Sequence, residues 1–154
     1  MPPVRPATDD DAAGVIDLIA RVFAEYPGCV LDVDREEPEL RTPASSFDRF
    51  WVVEERGKVV GCIACALHGD LVELKKLYVD AAARGRGFAR QLVNLVEATA
   101  RDHGAKLIEF WSDTRFTTAH AVYEHFGYVP SGRTRDLHDL SNTTEYHFTK
   151  RLRD

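Results

Sequence analysis

The chain has 154 residues, 44% hydrophobic and 29% charged, with a formal net charge of −5. That length suits one domain, residues 1–154, with a real core, and the acidic balance argues against a nucleic-acid backbone as partner. No apolar run approaches the ~20 residues of a membrane span. The start, "MPPVRPATDDD", lacks the apolar core of a secretory signal, so a cytoplasmic protein without membrane attachment is expected.

"PVRPA" is short and extended. Thr8 with Asp11 three residues on resembles a capping box, and the acids suit a helix N-terminus. Val15, Ile16, Ile19, Val22 and Phe23 then follow helical spacing, up to a stop before Pro27-Gly28. Residues 32–46 are polar and broken by proline, which predicts a loop with one helical turn near Pro38 to Arg41. "FWVVEER" and "KVVGCIACAL" flank Gly57 as a hairpin.

The third strand, "DLVELKKLYV", does not alternate cleanly. Val72 and Leu74 share one parity, Leu77 and Val79 the other. One extra residue, a bulge near Lys75-Lys76, would return all four to one face and splay the strand from a neighbour; a strand partly buried on both faces is the alternative. "FARQLVNLVEATARDHG" predicts a helix with Phe88, Leu92, Leu95, Val96 and Thr99 along one side and Gly104 as its stop. "AKLIEFWS" reads as a buried strand, "FTTAHAVYEHF" as a helix closed by Gly127, and "YVPSGRTRDL" with "TEYHFTKRL" as a final strand pair. The order β-α-β-β-β-α-β-α-β-β gives an α+β fold with one mixed sheet.

The cysteines are Cys29, Cys62 and Cys65, an odd number that argues against a disulfide framework. "CIAC" has the spacing of a redox or zinc half-site. Residues three apart on a strand point to opposite faces, however, so burial as small apolar side chains is the expectation. His120 and His125 lie on different faces of their helix and make no metal pair. No metal is expected.

Between Tyr78–Val79 and the helix at Phe88 stands "RGRG", Arg84 to Gly87. A helix N-terminus leaves N–H groups unpaired and carries partial positive charge. Glycines allow close approach and positive φ, and arginines add charged donors, so strand, loop and helix form a pocket for phosphate or pyrophosphate. There is no G-x-x-x-x-G-K-[ST] segment.

"LYVDAAARGRGFARQLVNLVEATAR" resembles the acetyl-CoA motif of the GNAT superfamily of N-acetyltransferases, R/Q-x-x-G-x-G/A, at Arg84, Gly87 and Ala89. Ala119, Tyr123, Gly127 and Tyr128 in "AHAVYEHFGYVP" resemble its second motif, A-x-x-x-Y-x-x-x-G-F. The element order agrees over nearly the whole chain, with one departure: Phe116 stands where many members have asparagine.

The resemblance implies a mostly antiparallel sheet with a splayed parallel pair and helices on both faces. It implies acetyl-CoA as acetyl donor and a primary amine, on a small molecule or a peptide, as acceptor. Backbone groups of Leu77 and Val79 would pair with the pantetheine arm as an added strand. N–H groups from Gly85, Arg86, Gly87, Phe88 and Ala89 would hold the pyrophosphate, and the thioester carbonyl would lie near the Tyr78–Val79 backbone. Tyr123 matches the family tyrosine that often protonates the departing thiolate, the alternative being that it only packs and bonds the CoA sulfur. Glu73 matches the glutamate often used as base, the alternative being an exposed carboxylate paired with Lys75 or Lys76. Asp113 and Arg115 could touch substrate, but capping the next helix is the stronger expectation. "HDLSNTTEY" could line the acceptor pocket, with a plain loop as the stronger expectation. A homodimer is left open, and an acyl-CoA-binding sensor or an interaction protein on the same scaffold is the alternative to an enzyme.

Overall fold

A computed structural model describes residues 4–152. β1 (Val4–Pro6) leads into α1 (Ala12–Phe23), where the Asp11 carboxylate accepts the Thr8 N–H at 2.8 Å, in keeping with the acidic helix start. Residues 32–46 hold more structure than one turn. α2 (Val33–Glu36) and α3 (Pro43–Ser46) flank the 3-10 turn Pro38–Arg41. β2 (Arg49–Glu55), β3 (Lys58–His68) and β4 (Leu71–Val79) follow, then α4 (Phe88–Asp102), β5 (Leu107–Asp113), α5 (Thr117–His125), β6 (Val129–Asp136) and β7 (Thr144–Arg151).

The seven strands form one sheet in the order β1-β2-β3-β4-β5-β7-β6, antiparallel except for β4 beside β5. β2 and β3 meet at the two-residue turn Arg56-Gly57, both at positive φ, which matches the twist of a hairpin. α1 covers one face through Val15, Leu18, Ile19 and Val22, packed on Val52 and Cys62. α4 covers the other through Phe88, Leu92, Val93 and Val96, packed on Ile63, Cys65 and Val72. The buried stripe of α4 is therefore rotated from the expected one, with Val93 and Ala100 inside and Leu95 and Thr99 only half-buried. Cys62 and Cys65 fall in separate clusters on opposite faces, as strand geometry requires. Among the described residues no helix is long and apolar enough to cross a membrane.

The bulge sits in β4. Cys62 pairs with Tyr78 and Ala64 with Lys75, so two residues of β4 oppose one of β3. Lys76 takes the strain at φ +56°, and its ammonium pairs with Glu37. Val72, Leu74, Leu77 and Val79 consequently all pack on the α4 side. The parallel pairing with β5 ends at Glu73–Glu109. Beyond it β5 continues with β7 as far as Asp113–Glu145, leaving the end of β4 without a neighbour on that side.

Candidate active site

The gap between β4 and β5 opens into two cavities. One, of about 500 Å³, lies between residues 74–78, residues 110–113 of β5 and the loop 137–143. The other, of about 330 Å³, lies between residues 77–79, Tyr26, Arg84 and α5. Leu77, Tyr78, Phe116 and Tyr123 line both, so the cavities meet at these four side chains.

Phe116 builds the shared wall. Its ring packs on Tyr26 at 4.7 Å and faces Phe23, which in turn meets Tyr78 edge-on at 6.0 Å. An aromatic face replaces the polar side chain that asparagine would supply here. Tyr123 is 7% exposed and held edge-on against Phe110 at 4.5 Å. Burial pushes its phenol up to about 12, while the Ser112 hydroxyl works the other way. Burial also holds the Tyr78 phenol well above its ordinary range.

Between Arg84 and Ala89, which line the smaller cavity, Gly85 and Gly87 stand at φ +77° and +84°. A side chain added at either would meet nothing within 4 Å, so the space over the loop is open. Among the described residues no backbone carbonyl accepts from the N–H groups of residues 85–89. These are the unpaired donors of a helix start, and they converge where glycine permits close approach. The arginines behave differently from expectation. Arg84 is held by Glu25 at 2.6 and 2.7 Å and Arg86 by Glu55 at 2.8 and 2.5 Å. Their charges are largely matched within the protein, so the free donors of the loop are its backbone groups. Arg84 Nε also donates to the Val79 carbonyl at 3.1 Å, tying the loop to the end of β4.

Glu73 is placed elsewhere. It lies ahead of the bulge, lines neither cavity, and is flanked by Lys75 at 3.7 Å and His68 at 3.8 Å. Asp113 does line the larger cavity but does not cap α5. Arg115 folds back and takes its carboxylate through its own N–H, Nε and a terminal nitrogen at 2.9–3.0 Å. Phe116 occupies the cap position instead.

The loop 137–143, for which a plain loop is the stronger of two expectations, walls the larger cavity and is fastened to the opposite side by Ser141, which bonds both backbone groups of Val30 at 2.7 and 3.1 Å. Its polarity was the available signal. Glu145 on β7 also lines this cavity. Burial raises its carboxyl above the ordinary carboxylate range despite the hydrogen bond from Arg135 at 2.8 Å. In all, six carboxylates line the larger cavity against three Lys or Arg side chains.

Residues 15–128 match the model of the acetyltransferase (GNAT) family. The chain belongs to the GNAT family. An uncharacterized N-acetyltransferase of Escherichia coli is 32% identical over 137 residues, covering 82% of this chain and 81% of that protein. The N-acetylaspartate synthetase of Danio rerio is 30% identical over 118 residues, covering 75% of this chain but only 42% of that protein. A GNAT acetyltransferase from Staphylococcus aureus superposes with a TM-score of 0.81 at 19% identity, covering 97% and 98% of the two chains. An acetyltransferase from Salmonella typhimurium, solved with its cofactor acetyl-CoA, gives 0.72 at 16% identity over 98% and 94%. At such identities these structures share the fold. Arg84, Ala89 and Tyr123, three of the residues that carry the sequence resemblance, line the smaller cavity, and the protein is an acyltransferase.

Proposed function

We propose that this GNAT enzyme transfers an acetyl group from acetyl-CoA to a primary amine that enters through the larger cavity, by direct attack in a ternary complex. The observation that carries the reading is the meeting of the two cavities at Tyr123. A donor reaching from one side and an acceptor from the other would share one buried hydroxyl.

Acetyl-CoA supplies a thioester acyl group and a thiol that must leave. The residues present fit it. The unpaired N–H groups of residues 85–89 and the open space over Gly85 and Gly87 would hold the pyrophosphate. The free edge of β4 at Leu77 and Val79 would take the pantetheine arm as an added strand. A backbone N–H at Tyr78–Val79 would polarise the carbonyl. Tyr123 keeps its proton at neutral pH, because burial raises its phenol, and holds that proton at the phenolic oxygen for the sulfur.

The amine must arrive neutral, so a proton acceptor is needed. Glu145 is better placed for this than Glu73. It lies in the larger cavity, and its raised carboxyl brings it closer to neutral pH. The excess of carboxylates there favours an acceptor with a further cationic group, such as a diamine, over an acidic amino acid. The relatives named N-acetylaspartate synthetases carry a different acceptor in their name.

The test is thiol release from acetyl-CoA against a panel of diamines, neutral amines, peptides and aspartate, beside a thermal shift with acetyl-CoA alone. Stabilisation by acetyl-CoA together with turnover favouring diamines is expected. Stabilisation without turnover on any amine overturns the transfer reaction, and preference for aspartate overturns the acceptor class.

A further inference from the structure

His120 takes part in neither motif role, yet its ring stands beside the proposed acid. Its Nε2 lies 3.1 Å from the Ser112 hydroxyl. Ser112, on β5, is 6% exposed, lines the larger cavity together with Tyr123, and pulls the Tyr123 phenol back towards its ordinary value. Tyr123 and His120 sit one turn apart on α5, and Ser112 lies on the strand packed against them. His120 is packed among Tyr146 at 5.6 Å, Phe148 at 5.3 Å and Tyr123 at 6.3 Å, and its ring is half-buried, nearer to solvent than Tyr123.

We propose that Ser112 and His120 form a proton relay that reloads Tyr123 after each turnover. This rests on Tyr123 being the acid. A phenol that gives its proton to a departing sulfur is left as a phenolate, and a buried phenolate is costly. Ser112 can donate its hydroxyl proton to the phenolic oxygen while its own oxygen accepts from His120 Nε2. The imidazole takes a proton from water at its other nitrogen as it releases one at Nε2, so no net charge stays inside. The acetylated amine ends one proton lighter, the thiol one heavier, and Tyr123 returns to its starting form.

Histidine suits the task because its two nitrogens can give and take in one step. Burial lowers the His120 pKa, so at neutral pH the ring is uncharged with one lone pair free. Opposing this are the Asp113 backbone and the charges of Asp113 on β5 and Glu124 on its own helix. The group from β7 that faces it is Tyr146.

Two measurements test the relay. The first needs no acetyl-CoA: nitrogen NMR of the His120 ring in the free protein. The Nε2 resonance should move on Ser112→Ala and again on Tyr123→Phe. Movement with Ser112→Ala alone overturns the coupling to Tyr123. The second is steady-state kinetics. His120→Ala and Ser112→Ala should each lower kcat by about tenfold or more with little change in KM for acetyl-CoA. The double variant should be no worse than either single one, because the groups act in series. Added imidazole should restore turnover to His120→Ala but not to Ser112→Ala. If Tyr123→Phe lowers kcat while both relay variants keep it, the relay is wrong and the acid stands. If Tyr123→Phe itself keeps kcat, the acid reading fails and the relay with it.

Discussion

Glu25 and Arg84 clasp each other through two hydrogen bonds of 2.6 and 2.7 Å, tying the turn after α1 to the loop ahead of α4. With Arg84 matched by Glu25, the proposed phosphate binding would fall to the backbone groups of the loop. Arg84→Ala should therefore weaken acetyl-CoA binding by less than about tenfold, roughly one lost charge-assisted contact. Because both partners are partly exposed, the change should cost at most about 1 kcal/mol of stability. Titration calorimetry and a urea melt read the two quantities. Loss of all measurable binding would mean that the guanidinium swings onto the phosphate.

Gly87 is the converse case. At φ +84° any side chain is strained, by roughly 1–2 kcal/mol. A Cβ there meets no protein atom within 4 Å, so the free protein should tolerate Gly87→Ala with that loss alone. Gly87→Glu adds bulk and negative charge where the pyrophosphate would lie. Its thermal stabilisation by millimolar acetyl-CoA should vanish, while the Gly87→Ala protein keeps part of it. Equal stabilisation of wild type and Gly87→Glu would place the phosphates elsewhere.

These elements were legible in the sequence for local reasons. The parity break between Leu74 and Leu77 pointed to an added residue or to a strand partly buried on both faces, and Lys76 at positive φ is the added residue. Gly85 and Gly87 ahead of a strong apolar stripe marked a helix start with open donors. The rest depended on long-range pairing. Ser112 and Glu145 enter the site because β5 pairs with β7, matching Ser112 with Tyr146 and Asp113 with Glu145. No local pattern in "SDTRF" or "TEYHF" announces that register. Asp113 misled for a similar reason. Its spacing suits a helix cap, but Arg115 two residues on offers a charged fork that outcompetes the neutral N–H groups of α5. The face of α4 was misjudged at its margins, since Val93 and Leu95 flank the same apolar stripe and only packing selects Val93.

The Lys76 bulge lends itself to deletion. Removing this one residue would restore regular pairing with β3 and leave Leu77 and Val79 on the α4 face, so that the splay alone is lost. It would also remove the ammonium that pairs with Glu37 and lies 3.9 Å from Glu39. The deletion variant should lose acetyl-CoA binding yet stay folded, with a melting point lowered only by the lost pairing of Lys76. Lys76→Gly, which relieves the positive φ and keeps the bulge, should retain binding. Both follow from thermal melts with and without acetyl-CoA. A deletion variant that still binds would show that the splay does not depend on the bulge.

Glu73 and Glu145 compete for the role of base, and pH separates them. Glu73 pairs with Lys75 and His68 outside both cavities, so Glu73→Gln should leave kcat within about threefold and the acidic limb of the pH–rate profile in place. Glu145→Gln should lower kcat by about 10² or more and abolish that limb. Stability should move the other way. Burial raises the Glu145 carboxyl in the folded state, so folding favours its protonated form. Its favourable contribution is complete below the ordinary carboxylate range and is lost as pH rises through the folded value. At neutral pH the buried charge therefore works against the fold, and Arg135 at 2.8 Å offsets only part of that. Glutamine carries no charge at any pH. The Glu145→Gln protein should melt above the wild type at neutral pH, and the gap should close as the buffer is taken down into the acidic range. A variant that is inactive but no more stable at pH 7 than at low pH would mean that Glu145 acts through its pairing with Arg135 and not as a raised, proton-accepting carboxylate. An active Glu145→Gln protein beside an inactive Glu73→Gln one would return the base to β4.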